Sequence, residues 1–143
     1  MDAVFGFTVL NDISAREVMV RERMQVMLSK SPDTFVPIGP AVVTKDEIPD
    51  LYDLRIASYL NGELRQHDRT GSMTCRVPQL LAAITRTVTM RAGDIVTTGT
   101  PGGVGFFGIP RVPEPGRYRY CRGRARWPPD QPGQAGLVRR GDR

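Results

Sequence analysis

The sequence predicts a mixed α/β domain that is mainly β and contains two helices. Three observations lead to this prediction. The dipeptide Asn61-Gly62 interrupts a run of alternating apolar and polar residues, which is typical of a β-hairpin. Apolar residues recur at helical spacing in residues 15–28 and 77–88. Short β-branched and aromatic runs broken by Pro and Gly occupy much of the remaining chain, as in small strands joined by turns.

The first elements follow from a change of periodicity near the N-terminus. Residues 4–10 are mostly apolar and end at the polar pair Asn11-Asp12, which predicts a buried strand followed by a turn. Ser14 is a candidate N-cap, and Glu17 three residues later would complete a capping box. A helix is therefore expected over residues 15–28.

The later elements are bounded by Pro and Gly. Residues 35–44 are extended and apolar, but their prolines restrict them to irregular or edge pairing. Residues 54–66 form the predicted hairpin. Residues 77–88 form the second helix, with Pro78 in its first turn, where a missing N–H costs nothing. A further strand is expected over residues 95–98.

The C-terminal segment 108–143 differs in composition from residues 1–107. Its 36 residues include nine Arg, six Pro and six Gly, and its apolar residues follow no period. Such a segment buries too little apolar surface to offset its ordering entropy, which indicates a solvated, disordered tail. Translation from a shifted reading frame is the alternative that we favour, because the change in composition is abrupt. Mass spectrometry of the natural protein tests it.

The positive charge does not indicate a nucleic-acid-binding surface. The chain carries a net charge of +5, of which residues 108–143 contribute +6, so residues 1–107 carry −1. A phosphate-binding face needs Lys and Arg gathered on a folded surface, so no nucleic-acid partner is expected for the body of the chain.

No apolar run of about 18 residues and no signal-peptide pattern is present, so no membrane partner and a cytoplasmic location are expected.

Four features could carry chemistry. Asp12 and Arg16 lie at the junction between the first strand and the first helix, although an Asp at this place is more often a turn or cap residue and Arg16 could simply form a local ion pair. The glycine-rich loop 97–105 could bring backbone N–H groups to an anion, or be a flexible turn. Lys30 is one of two lysines and could simply stabilise a helix C-terminus. His67 is expected to be an exposed strand residue.

The order of four motifs is more specific than any of these features. The motifs are Phe-Gly-Phe-Thr-Val-Leu-Asn-Asp-Ile-Ser-Ala-Arg, Lys-Ser-x-Asp-Thr-Phe-x-Pro-Ile-Gly-Pro, Asn-Gly-Glu-Leu-Arg-Gln and Ala-Gly-Asp-Ile-Val-Thr-Thr-Gly-Thr-Pro-Gly-Gly-Val-Gly. Together they resemble the fumarylacetoacetate hydrolase C-terminal domain family over residues 4–107. The resemblance implies a partial form of that family's distorted β-sandwich or β-roll, and a homodimer.

The resemblance also implies roles for five residues. Asp12 would be a ligand of Mg²⁺, or of Mn²⁺ or Ca²⁺, with Thr34 beside the metal. Lys30 would be catalytic, adding positive charge to a developing enolate. Arg16 would face the substrate, and Thr100 would hold one of its oxygens or its carboxylate.

The metal site implied by the resemblance is incomplete in this chain. The family uses a Glu-x-Glu pair upstream of the first strand, and the sequence contains no such pair. The N-terminal part of the catalytic domain is therefore expected to lie outside these residues. Because one carboxylate is a poor ligand set for Mg²⁺, weak or absent metal binding is expected, and calorimetric titration showing micromolar affinity would refute this.

The expected activity is hydrolysis of a C–C bond in a small acylpyruvate-like or β-diketo acid. Isomerisation or decarboxylation of a hydroxymuconate-type acid is the alternative within the same fold, because fold resemblance does not separate these reactions. A non-catalytic remnant is a third possibility. Binding of nucleic acid by segment 108–143 ranks last, and deletion of that segment tests it.

Overall fold

A computed structural model describes residues 1–60 and 62–105, together with the backbone of one strand at 121–126. In chain order the elements are β1 (Gly6–Phe7), α1 (Arg16–Arg21), α2 (Val26–Lys30), β2 (Val43–Thr44), a 3₁₀ turn (Lys45–Glu47), β3 (Arg55–Leu60), β4 (Glu63–Arg69), a second 3₁₀ turn (Thr70–Ser72), α3 (Val77–Ile84) and β5 (Cys121–Arg126). The strands form two small antiparallel sheets. The predicted class, mixed α/β and mainly β, is confirmed.

The β3–β4 hairpin confirms the clearest prediction from sequence. Leu60 pairs with Glu63, which leaves a two-residue connection. Gly62 has φ of +90°, a conformation that glycine adopts without steric cost. The other turn residue, Asn61, lies outside the described residues. The register shifts by one residue between Ser58 and Tyr59, so β4 carries a β-bulge at this point.

Strand β5 completes a three-stranded sheet in which β3 is central. It pairs antiparallel with β3 from Leu60 opposite Cys121 to Arg55 opposite Arg126. The strand falls inside segment 108–143, for which the sequence predicted no regular structure. An unpaired edge of β3 offers backbone groups that such a strand can satisfy, whatever its composition. The rest of that segment lies outside the described residues, and its disorder stays a prediction.

The N-terminal strand is much shorter than the predicted range of residues 4–10. In this region the strand pairing is limited to β1 with β2, where Gly6 lies opposite Thr44. A single bridge joins Leu10 to Ile38. Pro37 and Pro40 lack the N–H that a ladder needs, which limits pairing along this stretch. The extended, irregular pairing predicted for residues 35–44 is confirmed.

The predicted helix over residues 15–28 is wrong in its continuity. It is divided into α1 and α2, because Arg23 and Met24 adopt φ of +53° and +67°, which no α-helix accommodates. The predicted capping box is also absent: Ala15 occupies the N-cap position, and the Ser14 hydroxyl donates to the Asp12 carbonyl at 3.4 Å. The domain therefore has three α-helices in its described part rather than two.

Two later predictions need smaller corrections. Helix α3 begins at Val77 with Pro in its first turn, as predicted, but ends at Ile84 rather than at residue 88. The Gln79 side chain accepts a hydrogen bond from the Arg76 N–H at 2.8 Å and caps its N-terminus. The predicted strand at residues 95–98 is irregular backbone, since no neighbouring strand among the described residues pairs with it. No helix in the described ranges is long and apolar enough to cross a bilayer.

The buried apolar side chains are few in the described part of the chain. Met19, Ile48 and Val77 are buried, whereas many large apolar side chains are exposed, including Met27 at 74%. Helices α1 and α2 lie against each other, and Met19 is the buried apolar side chain of this pair. Met19 is therefore the apolar anchor of the helix pair.

We expect Met19→Ala to lower the free energy of unfolding by about 2 kcal/mol, the lower end of the range for truncating a buried methionine. Urea unfolding followed by circular dichroism measures this change. Met27→Ala is the matched control. The Met27 side chain is exposed and buries little apolar surface, so this substitution should change the free energy of unfolding by less than about 0.5 kcal/mol. Equal effects of the two substitutions would contradict the assignment of Met19 as the anchor.

Candidate functional site

The structure brings two of the predicted site residues into direct contact. The Lys30 ammonium donates to the Asp12 carboxylate and forms an ion pair with it. The side chains keep 32% and 45% of their surface exposed, so a small molecule can reach both. Lys30 follows Asp12 by 18 positions in sequence, so the contact depends on how the intervening chain folds.

A short backbone connection positions this pair. The Ala15 N–H donates to the Ser29 carbonyl at 2.8 Å, which joins the residue before α1 to the last turn of α2. Ser29 is fully buried, and its hydroxyl donates to the Val26 carbonyl at 2.7 Å. Asp12 precedes Ala15 by three residues and Lys30 follows Ser29 directly, so this hydrogen bond holds the two charged side chains side by side.

The turn after Lys30 contains unusual backbone conformations. Thr34 and Val36 adopt φ of +71° and +58°, which are outliers for β-branched residues and cost about 1–3 kcal/mol each. The turn is closed by the Phe35 N–H, which donates to the Pro32 carbonyl at 3.1 Å. No sequence signal indicated this strain. Thr34, which was predicted to lie beside a metal, is exposed. It lies in this turn, four positions after Lys30.

Backbone pairing returns this turn to the Asp12 side of the site. The Asn11 N–H donates to the Pro37 carbonyl at 3.1 Å, and the Gly39 N–H donates to the Val9 carbonyl at 3.0 Å. The segment 9–11, just before Asp12, is thereby tied to residues 37–39, which begin three positions after Thr34. Arg16, half-buried, is the first residue of α1 and lies four positions after Asp12.

Thr100, another predicted site residue, lies on the glycine-rich loop and is anchored on β4 rather than on Asp12 or Lys30. Its hydroxyl oxygen accepts a hydrogen bond from the Gln66 side-chain amide at 2.8 Å, and the same amide donates to the Pro101 carbonyl at 2.8 Å. The Gln66 carbonyl oxygen accepts from the Ser58 hydroxyl at 2.8 Å. The sequence did not predict a role for Gln66, although Gln66 is the last residue of the Asn-Gly-Glu-Leu-Arg-Gln motif.

The glycine-rich loop approaches β4 closely at Gly103. A Cβ atom at this position would lie 2.4 Å from the Arg65 carbonyl oxygen, and Gly103 has φ of +101°. Both facts require glycine here. Arg65 is the residue of β4 that the register shift leaves without a partner on β3, so the bulge and the loop meet at one place.

The described residues do not by themselves fit a resident Mg²⁺. Within these ranges no three His, Cys, Asp or Glu side chains lie together as a metal site. Asp12 is the carboxylate of the candidate site, and one of its oxygens is engaged by Lys30. Mg²⁺ favours an octahedral set of oxygen ligands, so further oxygen ligands are required beyond Asp12 and Thr34.

His67 and Asp68 do not form an acid–base pair. His67 is exposed on β4 opposite Ala57, as the sequence predicted. The Ser72 hydroxyl and the Arg69 N–H both donate to the Asp68 carboxylate, at 2.6 and 2.7 Å. The hydrogen bond from Ser72, followed by that from Arg69, lowers the pKa of the Asp68 carboxyl below its usual value.

We expect Ser72→Ala to raise the pKa of Asp68 toward its ordinary value, because the substitution removes the largest cause of the shift. A carboxyl ¹³C NMR titration measures it, with Asp46 as an internal reference that should not move. Since the folded-state pKa is depressed, the stabilising effect of Asp68 is present above its unfolded-state pKa of about 3.9 and is lost as the pH falls through the folded value. An unchanged Asp68 titration would contradict the assignment.

Comparison with known proteins extends the sequence resemblance. Residues 1–143 match the family described as fumarylacetoacetate (FAA) hydrolase, C-terminal. The mitochondrial oxaloacetate tautomerase Fahd2a of Rattus norvegicus is 46% identical over 112 residues, which are 78% of this chain and 36% of the relative. The oxaloacetate tautomerase YisK of Bacillus subtilis is 42% identical over 73% of this chain and 34% of its own length. The chain thus spans about a third of these relatives.

Solved structures show the same fold. A fumarylacetoacetate hydrolase from Exiguobacterium antarcticum superposes with a TM-score of 0.78 at 34% identity, covering 94% of this chain and 46% of that one. A 2-hydroxyhepta-2,4-diene-1,7-dioate isomerase from Mycobacterium marinum gives a TM-score of 0.64 at 37% identity, covering 71% and 39%. The similar structures of this fold therefore include both a hydrolase and an isomerase.

Proposed function

Because this chain belongs to the fumarylacetoacetate hydrolase family, we propose that its site interconverts the keto and enol forms of a small 2-oxo dicarboxylic acid. The contact between Lys30 and Asp12 carries the proposal. The names of the rat and Bacillus subtilis relatives, both oxaloacetate tautomerases, support the choice of reaction and make oxaloacetate the first substrate to test.

Keto–enol exchange requires only the transfer of protons. One proton passes from the carbon next to the carbonyl to a base such as solvent water, an enolate forms, and one proton is added to the carbonyl oxygen, with no other bond broken. The Lys30 ammonium supplies positive charge for the enolate oxygen and a proton to deliver to it. Asp12 holds that ammonium in place through their ion pair. Arg16 and Thr100 are proposed to bind the carboxylates of the substrate.

Hydrolysis of a C–C bond, the reaction expected from the sequence, is the second candidate. The similarity to the Exiguobacterium antarcticum hydrolase favours it. Hydrolysis needs the same enolate stabilisation at Lys30 and, in addition, a group that activates water. The chain's one histidine, His67, is exposed on β4 and makes no hydrogen bond to Asp12 or Lys30, so no water-activating group is assigned to it.

A divalent metal remains part of the proposal through family membership. Asp12 and Thr34 are proposed to contribute oxygen atoms to a Mg²⁺ site, with Mn²⁺ and Ca²⁺ as alternatives. The remaining ligands would come from outside the described residues. A homodimer and a cytoplasmic location likewise stay predictions, and several of the similar animal proteins carry the word mitochondrial in their names.

A paired assay separates the candidates. Purified protein with MgCl₂ is given oxaloacetate, and loss of the enol absorbance is compared with the spontaneous rate. In parallel it is given acetylpyruvate, and release of pyruvate is followed with lactate dehydrogenase. Faster enol loss without pyruvate release supports the tautomerase, and pyruvate release supports the hydrolase. Neither activity in a folded sample would contradict both and favour a non-catalytic chain.

A further inference from the structure

We propose that Gln66 is a positioning residue that makes the Thr100 hydroxyl a hydrogen-bond donor toward the substrate. The proposal deepens the function above and rests on it, because it assigns how one substrate-binding residue is oriented. Gln66 is half-buried on β4, whereas Thr100 is exposed on the glycine-rich loop. The amide of Gln66 links the two.

The orientation of the Gln66 amide follows from its partners. The Pro101 carbonyl can only accept a hydrogen bond, so the amide NH₂ group must face it, at 2.8 Å. The Ser58 hydroxyl then donates to the Gln66 carbonyl oxygen at 2.8 Å. Ser58 and Gln66 are register partners on β3 and β4, so their side chains share one face of the sheet. Three partners therefore fix a single orientation.

This orientation determines what Thr100 can do. A hydroxyl has one proton to donate and two lone pairs to accept with. The second N–H of the Gln66 amide donates to the Thr100 hydroxyl oxygen at 2.8 Å, which uses one lone pair and directs the hydroxyl proton elsewhere. Because Thr100 is exposed, that proton is available to an anionic oxygen of a bound oxo acid. Thr100 is held as a donor before the substrate arrives.

The bulge on β4 keeps this arrangement in register. The shift between Ser58 and Tyr59 leaves Arg65 without a cross-strand partner, and Gly103 packs against the Arg65 carbonyl. The Gln66 side chain lies beside the loop there, since a Cβ added at Gly103 would lie 3.2 Å from the Gln66 Cγ. The loop thus meets β4 both through the amide and through its own backbone.

Gln66→Glu tests the proposal, because the new side chain has the same shape but accepts hydrogen bonds only. It would take the Thr100 hydroxyl proton away from the substrate. We expect KM for oxaloacetate to rise by about 10- to 100-fold, the effect of losing a donor to a charged oxygen, with kcat little changed. Gln79→Glu is the matched control: the Gln79 side chain acts only as an acceptor at the start of α3, and a carboxylate preserves that role.

A double-mutant cycle separates positioning from a general structural effect. In a Thr100→Val background, which has no hydroxyl to orient, Gln66→Glu should change KM by no more than about twofold. Independent, additive effects would overturn the proposal, and so would an unchanged KM in Gln66→Glu alone. Should Gln66→Glu not fold, Gln66→Met takes its place in the same cycle, with the same expected coupling.

An NMR measurement tests the geometry without any turnover. In the wild type, both side-chain N–H resonances of Gln66 should be shifted by hydrogen bonding, and Thr100→Val should move one of them. Unchanged resonances in Thr100→Val would overturn the inference even in an active enzyme. Absence of turnover in the wild type, with this spectral response intact, would instead count against the proposed function alone.

Discussion

Lys30→Ala is expected to reduce kcat/KM for keto–enol exchange by about 10²- to 10³-fold, the usual effect of removing one donor from a developing oxyanion. Lys30 is the ammonium that the fold holds against Asp12 in an accessible position. Without it, negative charge on the enolate oxygen would lose the positive charge of this ammonium. Steady-state rates of enol loss, corrected for the spontaneous reaction, measure the change.

The chain offers a matched control in its second lysine. Lys45 lies in the 3₁₀ turn after β2 and donates to the Met1 carbonyl at 3.3 Å, away from Asp12 in its contacts. Lys45→Ala should leave the rate unchanged. The thermal midpoint of Lys30→Ala should stay near that of the wild type, since an ion pair this exposed contributes only about 0–1 kcal/mol. Full activity in Lys30→Ala would remove Lys30 from the mechanism.

Gly103→Ala is expected to lower kcat/KM by about 10²-fold, the scale for a displacement of about 1 Å in a substrate-positioning group. A Cβ at this position meets the Arg65 carbonyl oxygen at 2.4 Å, and neither backbone can yield without moving the loop. Thr100, three residues earlier on that loop, would move with it. We expect a loss of stability of about 1–3 kcal/mol as well, because φ of +101° strains any residue with a side chain.

Two neighbouring glycines separate the causes of this effect. Gly102 has no atom within 4 Å of an added Cβ and needs no left-handed backbone, so Gly102→Ala should behave as the wild type. Gly99 has equally open surroundings but φ of +93°, so Gly99→Ala tests backbone strain without a clash. Wild-type kinetics in Gly103→Ala would mean that the contact with β4 does not position Thr100.

Local chemistry explains which elements were predictable. The β3–β4 hairpin follows from Asn61-Gly62 and the alternation around it, because few residue pairs accept the backbone of a two-residue turn. The start of α3 follows from Pro78 for the same kind of reason. The helix over residues 15–28 was predicted as continuous because the spacing of apolar residues does not indicate where the backbone leaves the helical conformation. Left-handed backbone at Arg23 and Met24 divides it.

By itself the sequence determined the family, the fold class and the residues Asp12, Arg16, Lys30, Thr34 and Thr100 as candidates, because ordered motifs preserve residue types at the positions that chemistry needs. Only the tertiary structure decided which of them meet. The Asp12–Lys30 contact depends on the hydrogen bond between Ala15 and Ser29, and the orientation of Thr100 depends on Gln66. These are contacts between distant segments, and no local propensity encodes them.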